Sequence, residues 1–121
     1  MLKIKELSKA HVFFRVGRDE TLWNWGTKTY RFLLDHAYKT ANFSSSNLDF
    51  CFVGAGRIEA CLYGNVTVID AAAAIGFVKE AGGLVVGLDG VEITDLSIRN
   101  QTILATNNAE ILSEIKIGIT M

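Results

Sequence analysis

An alanine-rich stretch between two apolar segments constrains the fold of this chain more than any other feature. Residues Ala71 to Glu80 are strong helix formers and are followed by the glycine pair Gly82–Gly83, which predicts a helix that ends there. Apolar residues lead into this helix at 66–69 and follow it at 84–88, as expected for strands inside a sheet. A strand, a helix and a strand in that order are typical of an α/β domain.

The remaining pattern predicts further alternation of strands and helices. Strands are predicted at 3–7, 11–16, 40–43, 57–63 and 102–105. Helices are predicted at 19–38, at 47–55 after a serine turn, and through Ile115 after a cap at Asn107 or Asn108. Turns are predicted at Gly64–Asn65 and Asp89–Gly90. Trp23 and Trp25 are two residues apart on a predicted helix, so only one of them can face the core. The alternation of strands and helices, with continuous apolar strands, predicts helices on both faces of one sheet.

Composition narrows the classes of partner. The 121 residues predict a single domain over 1–121, and a net charge of −1 argues against nucleic acid or an anionic membrane as a partner. No apolar run is long enough to span a bilayer and the start of the sequence lacks a signal-peptide pattern, so we expect a cytoplasmic protein. Cys51 and Cys61 lack zinc-site spacing and are expected to be reduced core thiols.

Few residues are candidates for chemistry. The sequence has none of the GxSxG, HExxH or GxxxxGK[ST] motifs. Asp70 lies where a strand ends and the alanine-rich helix begins. An aspartate there caps free backbone N–H groups, or it holds a hard cation such as Mg²⁺ at the ligand-binding edge of an α/β sheet. No neighbouring group of carboxylates completes a cation site, so the residues by themselves favour the cap over the cation.

Three motifs in order resemble a known family. They are the stretch from Asn47 (NLDFCFVGAGRIEA), the stretch from Asp70 (DAAAA) with the helix end from Val78 (VKEAGGL), and the stretch from Ile103 (ILATNN). In this order and spacing the sequence resembles the C-terminal half of the inositol monophosphatase and fructose-1,6-bisphosphatase-like family. The resemblance is good from Ser44 to Ile115 and looser from Lys3 to Tyr38. It implies an α/β fold, a layered α-β-α domain with a mixed sheet.

The resemblance also implies roles for particular residues. Asp70 falls on the family's metal-binding aspartate, which implies Mg²⁺ as a cofactor, and Ser44, Ser45 and Ala71 fall on positions that approach the substrate. The sequence departs from the family pattern at Ser44, which replaces a glycine. It departs again at Ile69 and Tyr63, which stand where many members have tryptophan and some have glutamate. No catalytic residue is assigned within this chain.

In the family, the first half of the protein supplies a metal-site glutamate and an Asp-Pro-x-Asp-Gly-Thr-type motif. This sequence has no counterpart of that first half and therefore has neither feature. Three hypotheses follow. The chain is a free-standing domain that is inactive alone, or one subunit of a split Mg²⁺-dependent phosphatase acting on inositol phosphate or fructose bisphosphate, or an interaction module that works through the Trp23 and Trp25 surface. The first two predict a homodimer or a partner chain with the other half, and the second a phosphorylated small molecule as substrate.

Overall fold

A computed structural model describes residues 4–17, 19–42, 45–94 and 100–119. That part of the chain forms five strands and four α-helices, which alternate along the sequence except that the fourth strand is followed directly by the fifth. The strands are β1 (His11–Val16), β2 (Lys39–Ala41), β3 (Ala60–Thr67), β4 (Leu84–Val86) and β5 (Asn100–Thr106). The helices are α1 (Trp23–His36), α2 (Ser46–Gly54), α3 (Val68–Glu80) and α4 (Ala109–Ile119). Short 3₁₀ helices lie at Leu7–Lys9 and Glu20–Leu22.

The strands form one mixed sheet in the order β2-β1-β3-β5-β4. β1 is parallel to both β2 and β3, and β5 is antiparallel to β3 and β4. The carboxyl ends of β1, β2, β3 and β4 therefore lie at one edge of the sheet, together with the start of β5. We call this edge the carboxyl edge.

Helices cover both faces of the sheet, because alternate residues of each strand point to opposite faces. Phe13 of β1 and Cys61 of β3 pack with α2 and α3. Val12 and Leu62, one position away in the same strands, pack with α1 and α4. The predicted α-β-α layering with a mixed sheet is confirmed.

Most predicted elements are confirmed with shifted ends. The strand at 11–16 is found with those bounds, and Asn108 is the N-cap of α4, since its Oδ1 accepts a hydrogen bond from Ile111 N at 2.8 Å. Ser45 is the N-cap of α2, so the serine turn acts as predicted. The turn at Asp89–Gly90 is also present, and an isolated bridge between Val86 and Glu92 closes it.

Two predictions from local pattern are wrong. The strand predicted at 3–7 does not form, because residues 4–6 have no regular structure and Leu7 begins a 3₁₀ helix. The turn predicted at Gly64–Asn65 lies inside β3. There one extra residue interrupts the pairing with β5 between Tyr63 and Val66, so these turn-forming residues make a β-bulge and the strand continues.

The buried side of α1 consists of Trp25, Gly26, Thr29 and Leu33, while Tyr30 and Leu34 are exposed. One tryptophan is buried and the other is exposed, as predicted. Trp25 donates its Nε1–H to the carbonyl of Ile119 at 2.7 Å, whereas Trp23 is 50% exposed.

Candidate functional site

The carboxyl edge brings together the segments that follow three parallel strands. Gly17 follows β1, Ser45 and the start of α2 follow β2, and α3 follows β3 without a break. Open α/β sheets bind their ligands at this edge, because helix N-termini and loop residues meet there. A site in this chain is therefore expected between the starts of α2 and α3.

A cleft of about 260 Å³ opens at this edge. It is lined by Arg15, Gly17, Ser46, Tyr63, Gly64, Asn65 and Val66. Arg15 supplies a guanidinium group and Ser46 is the first residue of α2, so the lining combines a cation with a helix N-terminus. Both features favour an anionic ligand.

The bulge in β3 shapes one wall of the cleft. Asn65 has a φ of 57°, a left-handed conformation that asparagine tolerates better than most residues. Its backbone N–H donates to Thr102 Oγ1 at 3.3 Å, and its side-chain amide donates to Asp19 Oδ2 at 3.2 Å. These bonds tie the bulge to β5 and to the segment after β1, which holds the wall of the cleft in place.

A buried carboxylate lies beside the cleft, and the sequence analysis missed it. Asp49 in the first turn of α2 is fully buried and accepts a hydrogen bond from the hydroxyl of Tyr63, a cleft residue. This bond joins α2 to β3 next to the site. The available signal was that Asp49 is the only charged residue within the apolar sequence of α2.

Asp49 also affects a neighbouring thiol. Burial raises the pKa of Cys61 well above its ordinary value, and the negative charge of Asp49 adds to that shift. Cys61 therefore stays protonated at neutral pH and serves as an apolar core residue. Cys51 on α2 is partly exposed, and both cysteines are free.

The structure brings the described residues with predicted site roles to the carboxyl edge. Asp70 is the third residue of α3, so it lies in the first turn and not at the predicted cap position; its side chain lies outside the described part of the chain. Ser45 accepts a hydrogen bond from Leu48 N at 3.4 Å, and Ala71 is buried in the core. Ser44 lies outside the described residues.

The donor set for Mg²⁺ is incomplete in the described residues. A magnesium site uses several oxygen ligands at octahedral positions. Within residues 4–17, 19–42, 45–94 and 100–119, no group of three or more His, Cys, Asp or Glu side chains could hold a metal ion. Asp70 alone does not fit a full cation site. A cation at Asp70 would need further ligands from elsewhere.

The described helices are short compared with the thickness of a bilayer. The longest of them, α1, has 14 residues, and no helix in the part of the chain that the structure describes has the length and apolar character needed to cross a bilayer.

Comparison with known proteins identifies the family. A model of the inositol monophosphatase family matches residues 6–117 of this chain. The chain belongs to the inositol monophosphatase family. The family resemblance stated from the motifs is thereby confirmed.

Solved structures share the fold of this chain. An IMPase of Thermotoga maritima superposes with a TM-score of 0.79 at 21% identity, covering 95% of this chain and 42% of its own. The extragenic suppressor protein SuhB of Bartonella henselae superposes with a TM-score of 0.82 at 22% identity, covering 96% of this chain and 43% of its own. At these identities the likeness establishes the fold.

A curated relative adds a closer sequence match. The bifunctional NADP phosphatase/NAD kinase of Methanococcus maripaludis is 32% identical over 95 residues, which is 75% of this chain and 17% of that protein. The chain thus spans less than half of these solved relatives and under a fifth of this curated one.

Proposed function

We propose that this chain is one half of a Mg²⁺-dependent phosphatase site and that it is inactive without a second half. The observation that carries the proposal is the position of Asp70 in the first turn of α3, directly after β3 and at the same edge as the capped start of α2. In a family of phosphatases, a carboxylate at this edge is suited to hold a cation near a phosphate. A phosphorylated small molecule is the proposed substrate class.

In this proposal each half has a defined task. Divalent cations promote the hydrolysis of phosphate esters by activating water and by neutralising charge on the phosphoryl group. This chain contributes the carboxylate of Asp70, the N-terminus of α2 behind Ser45, and the backbone at Ala71. The remaining cation ligands and the groups that orient water come from the second half. The free thiols agree with a reducing compartment, so a cytoplasmic location is part of the proposal.

An interaction module without phosphate chemistry is less well supported. That hypothesis used a surface formed by Trp23 and Trp25, but Trp25 is buried and bonded to Ile119. Trp23 alone is exposed. The two tryptophans do not form a shared surface, so we keep the phosphatase half as the proposed function.

The test is Mg²⁺-dependent phosphate release with inositol monophosphate, fructose 1,6-bisphosphate, NADP and an aryl phosphate. We expect no release by the purified chain alone. We expect release when the chain is mixed with the unmatched remainder of the Methanococcus maripaludis relative, expressed separately. Asp70→Asn should abolish that release, since it removes the anionic ligand while leaving a side chain of similar size.

Asp35→Asn is the matched control, because Asp35 is an exposed carboxylate on α1 that pairs with Arg31 far from α3 in sequence. It should leave phosphate release unchanged. Release by the chain alone that disappears in Asp70→Asn would contradict the requirement for a second half. Release from the mixture that persists in Asp70→Asn would contradict the role of Asp70.

A further inference from the structure

Another cavity, with a volume of about 270 Å³, lies on the side of the sheet that α1 and α4 cover. It opens where the 3₁₀ helix at Leu7–Lys9, the last turns of α1 and the helix α4 come together. It is lined by Leu7, Ser8, Phe32, His36, Glu114 and Ile117. None of these residues lines the cleft at the carboxyl edge, and the proposed function gives this cavity no role.

Three apolar side chains line the cavity. Leu7 is buried, Phe32 is partly buried and Ile117 is 82% exposed. The ring of Phe32 lies against the backbone of α4, since a β-carbon added to Gly118 would clash with it. The same ring stacks on the imidazole of His36, with 4.3 Å between the ring centres and 26° between the planes. A preformed apolar surface of this kind favours a ligand with an apolar body.

A carboxylate supplies the charge of the cavity. Oε2 of Glu114 accepts a hydrogen bond from the backbone N–H of Leu7 at 2.6 Å, which fixes the carboxylate between α4 and the 3₁₀ helix. Oε1 of Glu114 has no hydrogen-bond donor among the residues that the structure describes. No described lysine or arginine lines the cavity, and Lys9, next to Ser8 in the sequence, pairs with Glu6. The charge of the cavity therefore favours a cationic ligand.

His36 supplies a second hydrogen-bond acceptor. Its Nδ1 lies 2.8 Å from the carbonyl oxygen of Phe32. A carbonyl oxygen only accepts, so Nδ1 carries the proton in this contact, and Nε2 of the neutral imidazole keeps a lone pair. His36 is also in the last turn of α1, where the carbonyl ends of the helix carry a partial negative charge. The carboxylate, the imidazole and the helix end thus favour a ligand that is positively charged and donates hydrogen bonds.

We propose that this cavity, which we call the amine cavity, binds a small primary ammonium ion whose apolar body is one ring or a short chain. An ammonium group has three N–H donors and no acceptor, so it can donate to Glu114 and to His36 and keep one donor for water. Its apolar body packs on Phe32 and Ile117. The volume is just below the range of about 300–1,000 Å³ for small-molecule pockets, which limits the ligand to this size. The inference does not depend on the proposed function.

Other classes of ligand fit the amine cavity less well. An anion would find acceptors but no cationic side chain among the lining residues. A neutral apolar molecule would take water from the carboxylate of Glu114 and give it no donor in return, which is costly. A bare metal ion needs several ligands, and the described residues form no group of three or more His, Cys, Asp or Glu side chains that could hold one.

The test titrates the intact chain with 2-phenylethylamine, which is protonated at pH 7.5. Two-dimensional amide NMR locates the binding, and calorimetry measures the Kd. We expect saturable 1:1 binding, with the largest shift changes at the amides of Leu7, His36 and Ile117. The probe 2-phenylethanol has the same apolar body without the charge and should bind about tenfold more weakly, because it lacks the charged donor.

Substitutions in the chain provide an independent arm. Glu114→Gln should weaken binding of the amine about tenfold, because glutamine keeps an oxygen for the N–H of Leu7 but loses the charge. Glu110→Gln is the matched control, since Glu110 is an exposed carboxylate one turn earlier on α4, and it should leave the Kd unchanged. His36→Phe keeps a ring stacked on Phe32 but removes Nε2, so it should also weaken binding. The amide NMR spectrum of each variant shows whether it is folded.

Three results would overturn the inference. These are equal binding of the amine and the alcohol, equal weakening by Glu114→Gln and Glu110→Gln, or shift changes that do not saturate or that lie away from the amine cavity. The comparison of the two probes uses the unaltered chain, so it decides the matter even if a variant does not fold. Asp70→Asn should bind the amine as the unaltered chain does, which separates this inference from the proposed function.

Discussion

Tyr63 and Asp49 form a hydrogen-bonded pair beside the candidate site. Asp49 is a fully buried carboxylate, and a buried charge is costly unless hydrogen-bond donors surround it. The hydroxyl of Tyr63 is one such donor, and Tyr63 also lines the cleft. This hydrogen bond therefore contributes to the stability of the fold and also holds a residue of the cleft in position.

Removing that hydroxyl should weaken the fold. We expect Tyr63→Phe to lower the free energy of unfolding by about 1–3 kcal/mol, because the buried carboxylate loses a donor and gains nothing in return. Urea denaturation measures the change. Tyr30→Phe, at an exposed position on α1, should change stability by less than about 0.5 kcal/mol. Equal effects of the two variants would contradict a special role for the pair.

Cys61 should make stability depend on pH in the alkaline range. Its pKa is raised by burial and then by Asp49, so the folded state keeps the thiol proton at a pH where the unfolded state loses it. Above the ordinary thiol pKa of about 8.5, the unfolded state binds fewer protons, and stability falls by about 1.4 kcal/mol per pH unit from this group. Below that pH both states are protonated and the contribution is constant.

Cys61→Ala removes this contribution. Denaturation of both proteins between pH 7.5 and pH 9.5 should show that the wild type loses stability more steeply than the variant above about pH 8.5. Packing lost in the variant changes its stability at every pH but does not change the slope. Parallel curves would show that Cys61 ionises as easily in the folded state as in the unfolded state.

At the scale of elements, the N-cap residues of α4 and α2 contribute to stability to different degrees. The side chain of Asn108 caps α4 and its amide also donates to the carbonyl of Ile4 at 2.9 Å, so it anchors the beginning of the described chain to the last helix. Ser45 caps α2 through a longer bond in an exposed position. The two caps share a chemical role but differ in burial and in the number of partners.

These differences predict that removing the two caps lowers the free energy of unfolding by unequal amounts. Asn108→Ala should lower the free energy of unfolding by about 1–2 kcal/mol, because a buried N–H of α4 and the carbonyl of Ile4 both lose a partner. Ser45→Ala should cost less, about 0.5 kcal/mol, because water replaces the exposed cap. Thermal or urea unfolding of the two variants measures the difference, and a larger loss for Ser45→Ala would contradict it.

At the scale of the whole molecule, the strand order predicts that the central strands of the sheet open less readily than the outer ones. β3 pairs with neighbours on both sides and has helices on both faces, whereas β2 has three residues and one partner strand. Amide hydrogen exchange should therefore be slowest in β3 and β5 and faster in β2, by at least tenfold, because edge strands open without unfolding the rest. Exchange in β2 as slow as in β3 would show that another contact covers the unpaired side of β2.

The sequence alone determined the elements that depend on local chemistry. The strand at 11–16, the helix after Asp70 and the caps at Ser45 and Asn108 follow from side-chain type and spacing, which act within a few residues. The motifs at Asn47, Asp70 and Ile103 were sufficient to place the chain in its family.

Tertiary structure decided the features that depend on distant partners. Gly64 and Asn65 are turn formers, but pairing of β3 with β5 on both sides of them keeps them in a strand as a bulge. The segment at 4–6 has strand-like residues but no strand pairing. Asp49 lies in the helix predicted at 47–55, but only its burial and its contact with Tyr63, 14 residues away, show that it is a buried carboxyl group beside the cleft. Local pattern specifies which elements form, whereas burial and pairing across the sheet decide which of their residues meet.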